Sequence, residues 1–239
     1  MLLSFEEVKH CTVLERLSRF SVTVSMDGKF FTAWLSNSGR LKDLVFPGAE
    51  SLCLKTSGEK TGARILASFG RSGRGAVLVD TKVQERAFEA ALSMELIPFL
   101  KGCRIDRRGA KVGRSLLDYE IECREGRMFV ELKSAAAERG EGSACYPDAP
   151  SIRGRRHVDE MIEIVKNGGR AAIVFIAPFD WAKEFRPCWE IDGEMGKKLL
   201  MAESSGILIR ALSMGIRLVE EKRAAEIFIS SPSIPVRLG

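Results

Sequence analysis

Histidine is almost missing from this chain: its 239 residues include two, His10 and His157. Cysteine is present but scattered, at Cys11, Cys53, Cys103, Cys123, Cys145 and Cys188, with no Cys-x-x-Cys. These shortages leave no zinc-ligand spacing. They suggest no disulfide framework either, so free buried or half-buried thiols are expected. No long apolar run occurs, and the opening Met1-Leu2-Leu3-Ser4-Phe5-Glu6-Glu7 puts acids where a signal peptide needs an apolar stretch. No membrane association is expected, and a cytoplasmic protein is. Internal repeats and low-complexity segments are also lacking.

What is there is ordinary for a soluble globular protein: 45% hydrophobic and 29% charged residues. The length allows one large or two modest domains. A net charge of +5 and a pI near 8.9 fit a polyanionic partner without requiring one.

The first third reads as β structure. Residues 20–26 alternate, Asp27-Gly28 is a strong hairpin turn, and 29–35 form the return strand. Further strands are expected at 51–55, 63–69 and 76–79. About five short strands with Gly-rich turns point to a small closed barrel of OB-like size. From Val83 the period becomes helical, with Val83, Phe88, Ala91, Leu92 and Leu96 on one face before Pro98. A second helix carries Val158, Met161, Ile162 and Val165 and stops at Asn167-Gly168-Gly169. Residues 171–177 form an apolar run of strand length, the mark of a strand buried on both faces. A helix near 192–204 and strands near 207–212 and 227–230 follow. The fold class is mixed α/β, with a barrel followed by a three-layer domain around a mixed sheet.

The chemistry concentrates in a hairpin between the first two helices. Leu117, Tyr119, Ile121 and Cys123 alternate with Asp118, Glu120 and Glu122, and Met128, Val130 and Leu132 alternate with Phe129, Glu131 and Lys133. A two-residue turn at Glu125-Gly126 sets Asp118 opposite Lys133. A register displaced by two residues sets Asp118 opposite Glu131. In both, acids and lysine share one polar face. Two carboxylates and an ammonium so placed suit a divalent metal beside a phosphodiester. Taken alone, the hairpin reads more readily as an outer strand face carrying ordinary charge pairs, since Asp/Glu-x-Lys occurs five times here, at Glu7, Asp27, Asp80, Glu131 and Glu220.

The order α-β-β-α-β around this hairpin is that of the PD-(D/E)xK restriction-endonuclease-like core. More widely, the chain resembles the sugar fermentation stimulation protein A family. The resemblance is carried by Arg16-Leu17-Ser18-Arg19-Phe20, Ser36-Asn37-Ser38-Gly39-Arg40, Phe46-Pro47-Gly48, Ala91-Leu92 and Leu96-Ile97-Pro98. It continues through Ser115-Leu116-Leu117-Asp118-Tyr119, Val130-Glu131-Leu132-Lys133, Tyr146-Pro147-Asp148-Ala149, Arg153-Gly154-Arg155-Arg156-His157, Phe185-Arg186-Pro187 and Asp192. Departures are Ser36 and Ser38 in a Pro-Asn-Thr-Gly stretch, Asp80 before Thr81 where Asn is expected, an absent Asn near Glu85, and Ser134 for Asn. The resemblance implies an OB-like, nucleic-acid-binding barrel over 1–81 and a nuclease-like domain over 82–239. It also implies DNA binding without strong sequence preference and a regulatory role in sugar, particularly maltose, metabolism.

In the nuclease reading Asp118 and Glu131 ligate Mg²⁺ or Mn²⁺, with the Leu132 carbonyl assisting, and Lys133 orients the attacking water and offsets phosphate charge. Glu89 on the first helix is a candidate third carboxylate, or simply a solvent-facing helix residue. His157, one helical turn after Arg153, is a candidate phosphate contact or a structural histidine. Gly154 would let a phosphate approach the helix start. Arg107, Arg108, Lys111 and Arg114 before the hairpin, and Arg153, Arg155 and Arg156 after it, are candidate DNA or RNA backbone contacts. In the barrel, Arg19, Asn37, Arg40 and Lys42 with Phe20, Phe31 and Trp34 could form a phosphate and stacking surface. A metal-dependent nuclease and a non-catalytic DNA-binding regulator both remain open, with a small-molecule or protein-binding module behind them. The sequence does not specify an oligomeric state.

Overall fold

The computed structural model describes residues 1–58, 61–219 and 224–239, and the Glu220-x-Lys222 match lies outside them. The chain forms two compact units. The first comprises Met1–Ala87, Pro178–Asp180 and Met214–Ser230, the second Phe88–Ala177, Trp181–Ser213 and Ser231–Gly239.

The first unit begins with β1 (Leu3–Phe5), then β2 (Lys9–Arg16), β3 (Ser21–Met26), β4 (Lys29–Trp34), β5 (Glu50–Lys55), β6 (Ala63–Ser68) and β7 (Val77–Leu78). Strands β2 to β6 run antiparallel in the order β4-β3-β2-β5-β6. A parallel contact of Ala33 and Trp34 with Ala63 and Arg64 closes the ring. This is the OB-like barrel, and closure leaves its short strands no free edge. Val13, Val22, Val24, Met26, Ala33, Leu52 and Ile65 fill it. Asp27 and Gly28 both have positive φ, as the tight β3–β4 turn requires. The helix α1 (Thr81–Ser93) is capped by Asp80, whose Oδ1 accepts from the backbone N–H of Lys82 and Val83 at 3.0 and 3.2 Å. Asp80 is also ion-paired with Arg64, so two of the Asp/Glu-x-Lys matches, at Asp27 and Asp80, are a turn and a helix cap.

In the second unit β8 (Arg104–Val112), β9 (Ser115–Cys123) and β10 (Gly126–Ser134) form an antiparallel meander. Strands β13 (Ala171–Ala177) and β15 (Leu208–Val219) continue the sheet in parallel, giving the order β8-β9-β10-β13-β15. Strand β13 is buried along its whole length. Phe88 of α1 packs on Tyr119 of β9, at 5.7 Å between rings, while α2 (Ile152–Lys166) covers the opposite face through His157. These contacts make the three layers. Helix α3 (Gly193–Ser204) is capped by Asp192, which also accepts from the Ser151 N–H and pairs with Arg155. The stretch 134–150, read from sequence as irregular, contains β11 (Ala137–Glu138) and β12 (Ser143–Tyr146), and β12 pairs in parallel with β14 (Glu184–Pro187). The last strand, β16 (Ala224–Ile234), pairs with β1.

The cysteines correct the expectation of free thiols. All six are paired, as Cys11–Cys53, Cys103–Cys123 and Cys145–Cys188, with Cα separations of 6.0, 4.2 and 5.3 Å. Partners are 42, 20 and 43 residues apart, so the fold brings them together and no local motif announces them. Thiol labelling of unreduced, denatured protein is expected to find no reactive cysteine. Reduction should lower the urea midpoint, since a bridge across loops of this length contributes about 3–4 kcal/mol.

Candidate metal centre

The hairpin takes the second of the two registers. Cys123 pairs with Gly126 and Tyr119 with Val130, so one further step along the ladder sets Asp118 opposite Glu131. Gly126 has φ +97°, a conformation open mainly to glycine, and it closes the turn at Arg124-Glu125 rather than one residue later. The Glu131 Oε2 accepts from the Asp118 N–H at 3.2 Å, and Asp118 Oδ2 accepts from the Leu132 N–H at 2.7 Å. Each carboxylate is thereby fixed by the other's strand.

This polar face is not an exposed surface. Glu131 is 3% exposed because α2 lies over it. Its Oε1 accepts from Lys133 Nζ at 2.5 Å and from His157 Nδ1 at 2.6 Å. Arg153 Nε points at His157 Nε2 at 3.3 Å, which makes that nitrogen the acceptor and leaves the ring proton on Nδ1, donated to Glu131. His157 is therefore a buried positioning group for Glu131 and is not presented to a nucleic-acid backbone.

Burial pushes the Glu131 carboxyl up, but the Lys133 charge and the His157 hydrogen bond outweigh it and hold the group below its ordinary 4.5. Burial works against the Lys133 ammonium too. The Tyr146 oxygen, Glu131 and Asp118 overcome it and hold Lys133 above its ordinary 10.5. The glutamate's stabilising share is complete above 4.5 and lost as pH falls through its lowered value. The lysine's share is complete below 10.5 and lost as pH rises through its raised value. Urea midpoints of Glu131→Gln are thus expected to fall less steeply on the acid side than those of wild type. Equal steepness would contradict the pairing.

Glu89 is held by neighbours on β8 and β9. It takes Arg108 Nε and Nη2 at 2.7 and 2.9 Å and the Tyr119 hydroxyl at 3.1 Å. Arg108 and Tyr119 are cross-strand partners, so Glu89 rests against the β8–β9 pair. Gly154 also has a different reason from the one expected. A Cβ there would lie 2.7 Å from Ser151 Oγ and 2.9 Å from the Tyr146 hydroxyl, so the space beside it is filled by side chains. Arg114, Arg153 and Arg156 are exposed, and Arg107 and Arg127 lean toward the buried Glu120 at 4.0 and 3.4 Å. Sequence reasoning gives Tyr146 no role, although the chain has two tyrosines, Tyr119 within this hairpin and Tyr146 beside Lys133. Their scarcity was the available signal.

In the barrel, Arg19, Arg40 and Lys42 are exposed, but Asn37 is buried. Its Oδ1 accepts from the Gly39 N–H at 2.9 Å, so Asn37 shapes the loop instead of facing a ligand. Arg16 opens the Arg16–Phe20 motif and has a structural task that its residue type does not announce. Its guanidinium donates to the carbonyls of Ser18 and Arg19 at 3.2 and 3.0 Å, of Gly39 at 2.7 Å, and of Arg40. It thereby ties together the two loops that carry Arg19 and Arg40.

The donor set around β9 and β10 consists of carboxylate and main-chain oxygens with no thiolate, which suits a hard cation such as Mg²⁺, Mn²⁺ or Ca²⁺. Similar proteins share the whole architecture. Residues 14–79 match the SfsA N-terminal OB domain, and residues 82–220 match the sugar fermentation stimulation protein RE domain. A sugar fermentation stimulation protein homolog from Pyrococcus furiosus is 40% identical over 211 residues, 88% of this chain and 90% of its own length. One from Archaeoglobus fulgidus is 36% identical over 235 residues, 98% of each chain. The solved structure of Pyrococcus furiosus SfsA in complex with Ca²⁺ superposes with a TM-score of 0.91 at 36% identity, covering 99% of this chain and 98% of that one. With both domains matched in order and relatives aligned nearly end to end, the chain belongs to the sugar fermentation stimulation protein family.

Proposed function

We propose that this chain binds DNA and hydrolyses phosphodiesters with Mg²⁺ or Mn²⁺ held by Asp118 and Glu131. The observation carrying this reading is the facing pair of carboxylates, fixed by each other's strand, with the Lys133 ammonium bonded to one of them. The Ca²⁺ complex of the Pyrococcus furiosus relative supports divalent-cation binding by this fold. When bound, the cation would polarise the scissile phosphate and acidify a water.

The chain's own groups supply the rest. Lys133 keeps its proton throughout the neutral range, so its ammonium is available to orient the attacking water and offset charge growing on the phosphate. His157 holds Glu131 by its Nδ1 proton while Arg153 fixes the ring. Arg114 and Arg156 are exposed cations for flanking phosphates, and Arg19, Arg40 and Lys42 serve the same purpose on the barrel. The division of labour is a nucleic-acid-binding barrel over 1–81 and a nuclease-like domain over 82–239.

One observation favours the second reading, a non-catalytic DNA-binding regulator. Glu131 already satisfies its oxygens with Lys133, His157 and the Asp118 N–H, and needs no cation to be stable where it is. End-labelled single- and double-stranded DNA separates the two. Products formed with Mg²⁺ or Mn²⁺, and missing with EDTA or with Asp118→Ala, support the nuclease. Salt-sensitive retardation with no product after long incubation supports the regulator.

A further inference from the structure

Of the exposed aromatic side chains among the described residues, Phe20, Phe30, Trp34 and Trp189, three lie on or beside the β3–β4 hairpin of the barrel. Val22, Val24, Met26 and Ala33 point into the barrel core, so alternation turns Ser21, Thr23 and Ser25 of β3 and Phe30, Thr32 and Trp34 of β4 outward. The register pairs Ser21 with Trp34, Thr23 with Thr32 and Ser25 with Phe30. The outward face is therefore two rings separated by a floor of hydroxyls. Phe30 is 73% exposed, and Phe20, the residue before β3, is 48% exposed.

Cations border one end of this face. Arg64, anchored by Asp80, holds its guanidinium 5.2 Å from the Trp34 ring centre. Arg19, in the loop before β3, is exposed. Arg16 keeps Arg19 beside Arg40 through its four carbonyl contacts. Glu15, opposite Thr23, is an acid on the same face, central rather than at the end the arginines border.

We propose that the outward face of β3 and β4 is a platform for single-stranded nucleic acid, with Phe30 and Trp34 each stacking on an unpaired base. The proposal rests on the DNA-binding reading above and narrows it. Base faces are hidden inside a duplex, and only an unpaired strand offers them to a side-chain ring. Four residues along a strand separate the two rings by about 13 Å. That is too far to clamp one base, so each ring takes its own. Ser21, Thr23, Ser25 and Thr32 can donate to or accept from any base or sugar between them, which makes the platform tolerant of sequence. The arginines at the Trp34 end meet the phosphates.

The test uses the full chain in EDTA at low salt, with fluorescence anisotropy of a labelled oligothymidylate and of a labelled duplex of equal length. Phe30→Ala and Trp34→Ala are each expected to weaken single-strand binding roughly ten- to hundredfold and duplex binding less than about twofold. Phe30→Tyr and Trp34→Phe should restore most of the loss, and thermal unfolding should confirm that all four variants fold as wild type does. Unchanged single-strand affinity in the Phe30→Ala/Trp34→Ala double variant would overturn the platform while leaving DNA binding standing. An equal loss for duplex would overturn the single-strand preference. If wild type retains neither probe, the DNA-binding reading itself fails.

Discussion

Glu131→Gln is expected to abolish metal-dependent cleavage while leaving the fold in place. Glutamine keeps the shape and an oxygen able to accept from Lys133 and His157, but it carries no charge to hold a divalent cation. A catalytic cation contributes several kcal/mol to the barrier, so single-turnover cleavage should fall on the order of a thousandfold or more. Asp118→Asn should behave alike, because the two carboxylates face each other across one step of the β9–β10 ladder. Glu131→Ala is a poorer probe. It leaves Lys133, whose side chain is 11% exposed, without its partner, and removing one member of a buried pair costs about 3–5 kcal/mol. Cleavage by Glu131→Gln at the wild-type rate would end the nuclease reading of this hairpin.

Lys133→Met should separate metal binding from chemistry. The substitution removes the ammonium that contacts Glu131 Oε1, so the carboxylate becomes more available to a cation as cleavage is lost. Without metal the variant is expected to be less stable by about 3–5 kcal/mol, the penalty for an uncompensated buried charge. Added Mg²⁺ or Ca²⁺ should return more of that stability to the variant than it adds to wild type, since a ligand that binds only the folded state stabilises it by mass action. A simple salt bridge makes the opposite forecast: the deficit would stay the same whatever metal is added. Thermal unfolding of both proteins over a metal titration decides between them.

Much of the fold was legible because it rests on local periodicity. The helices α1, α2 and α3, the apolar β13 and the β3–β4 hairpin all announce themselves by spacing and by their caps or turns. Strand β2 did not, since its register shifts between Val13 and Glu15 and the alternation breaks there. Strand β8 did not either: Arg104, Asp106, Arg107, Arg108 and Lys111 give it the composition of a solvated loop, which an outer strand of a sheet tolerates. At the site, alternation placed Asp118, Glu131 and Lys133 on one face. It could not show that α2 would bury that face or that His157 would reach Glu131, because both depend on how a helix packs on a sheet far along the chain. The same holds for the disulfides and for Tyr146. Asn37 misled for a different reason, since an Asx turn and a ligand contact call for the same residue type.

Crystals soaked in Mn²⁺ and measured at a wavelength where manganese scatters anomalously would test the metal centre without relying on activity. An anomalous peak is expected within direct coordination distance of both Asp118 and Glu131, with Lys133 Nζ moved off Glu131 Oε1. Crystals that take up manganese elsewhere, with no peak at these carboxylates and the lysine still bonded to Glu131, would contradict it.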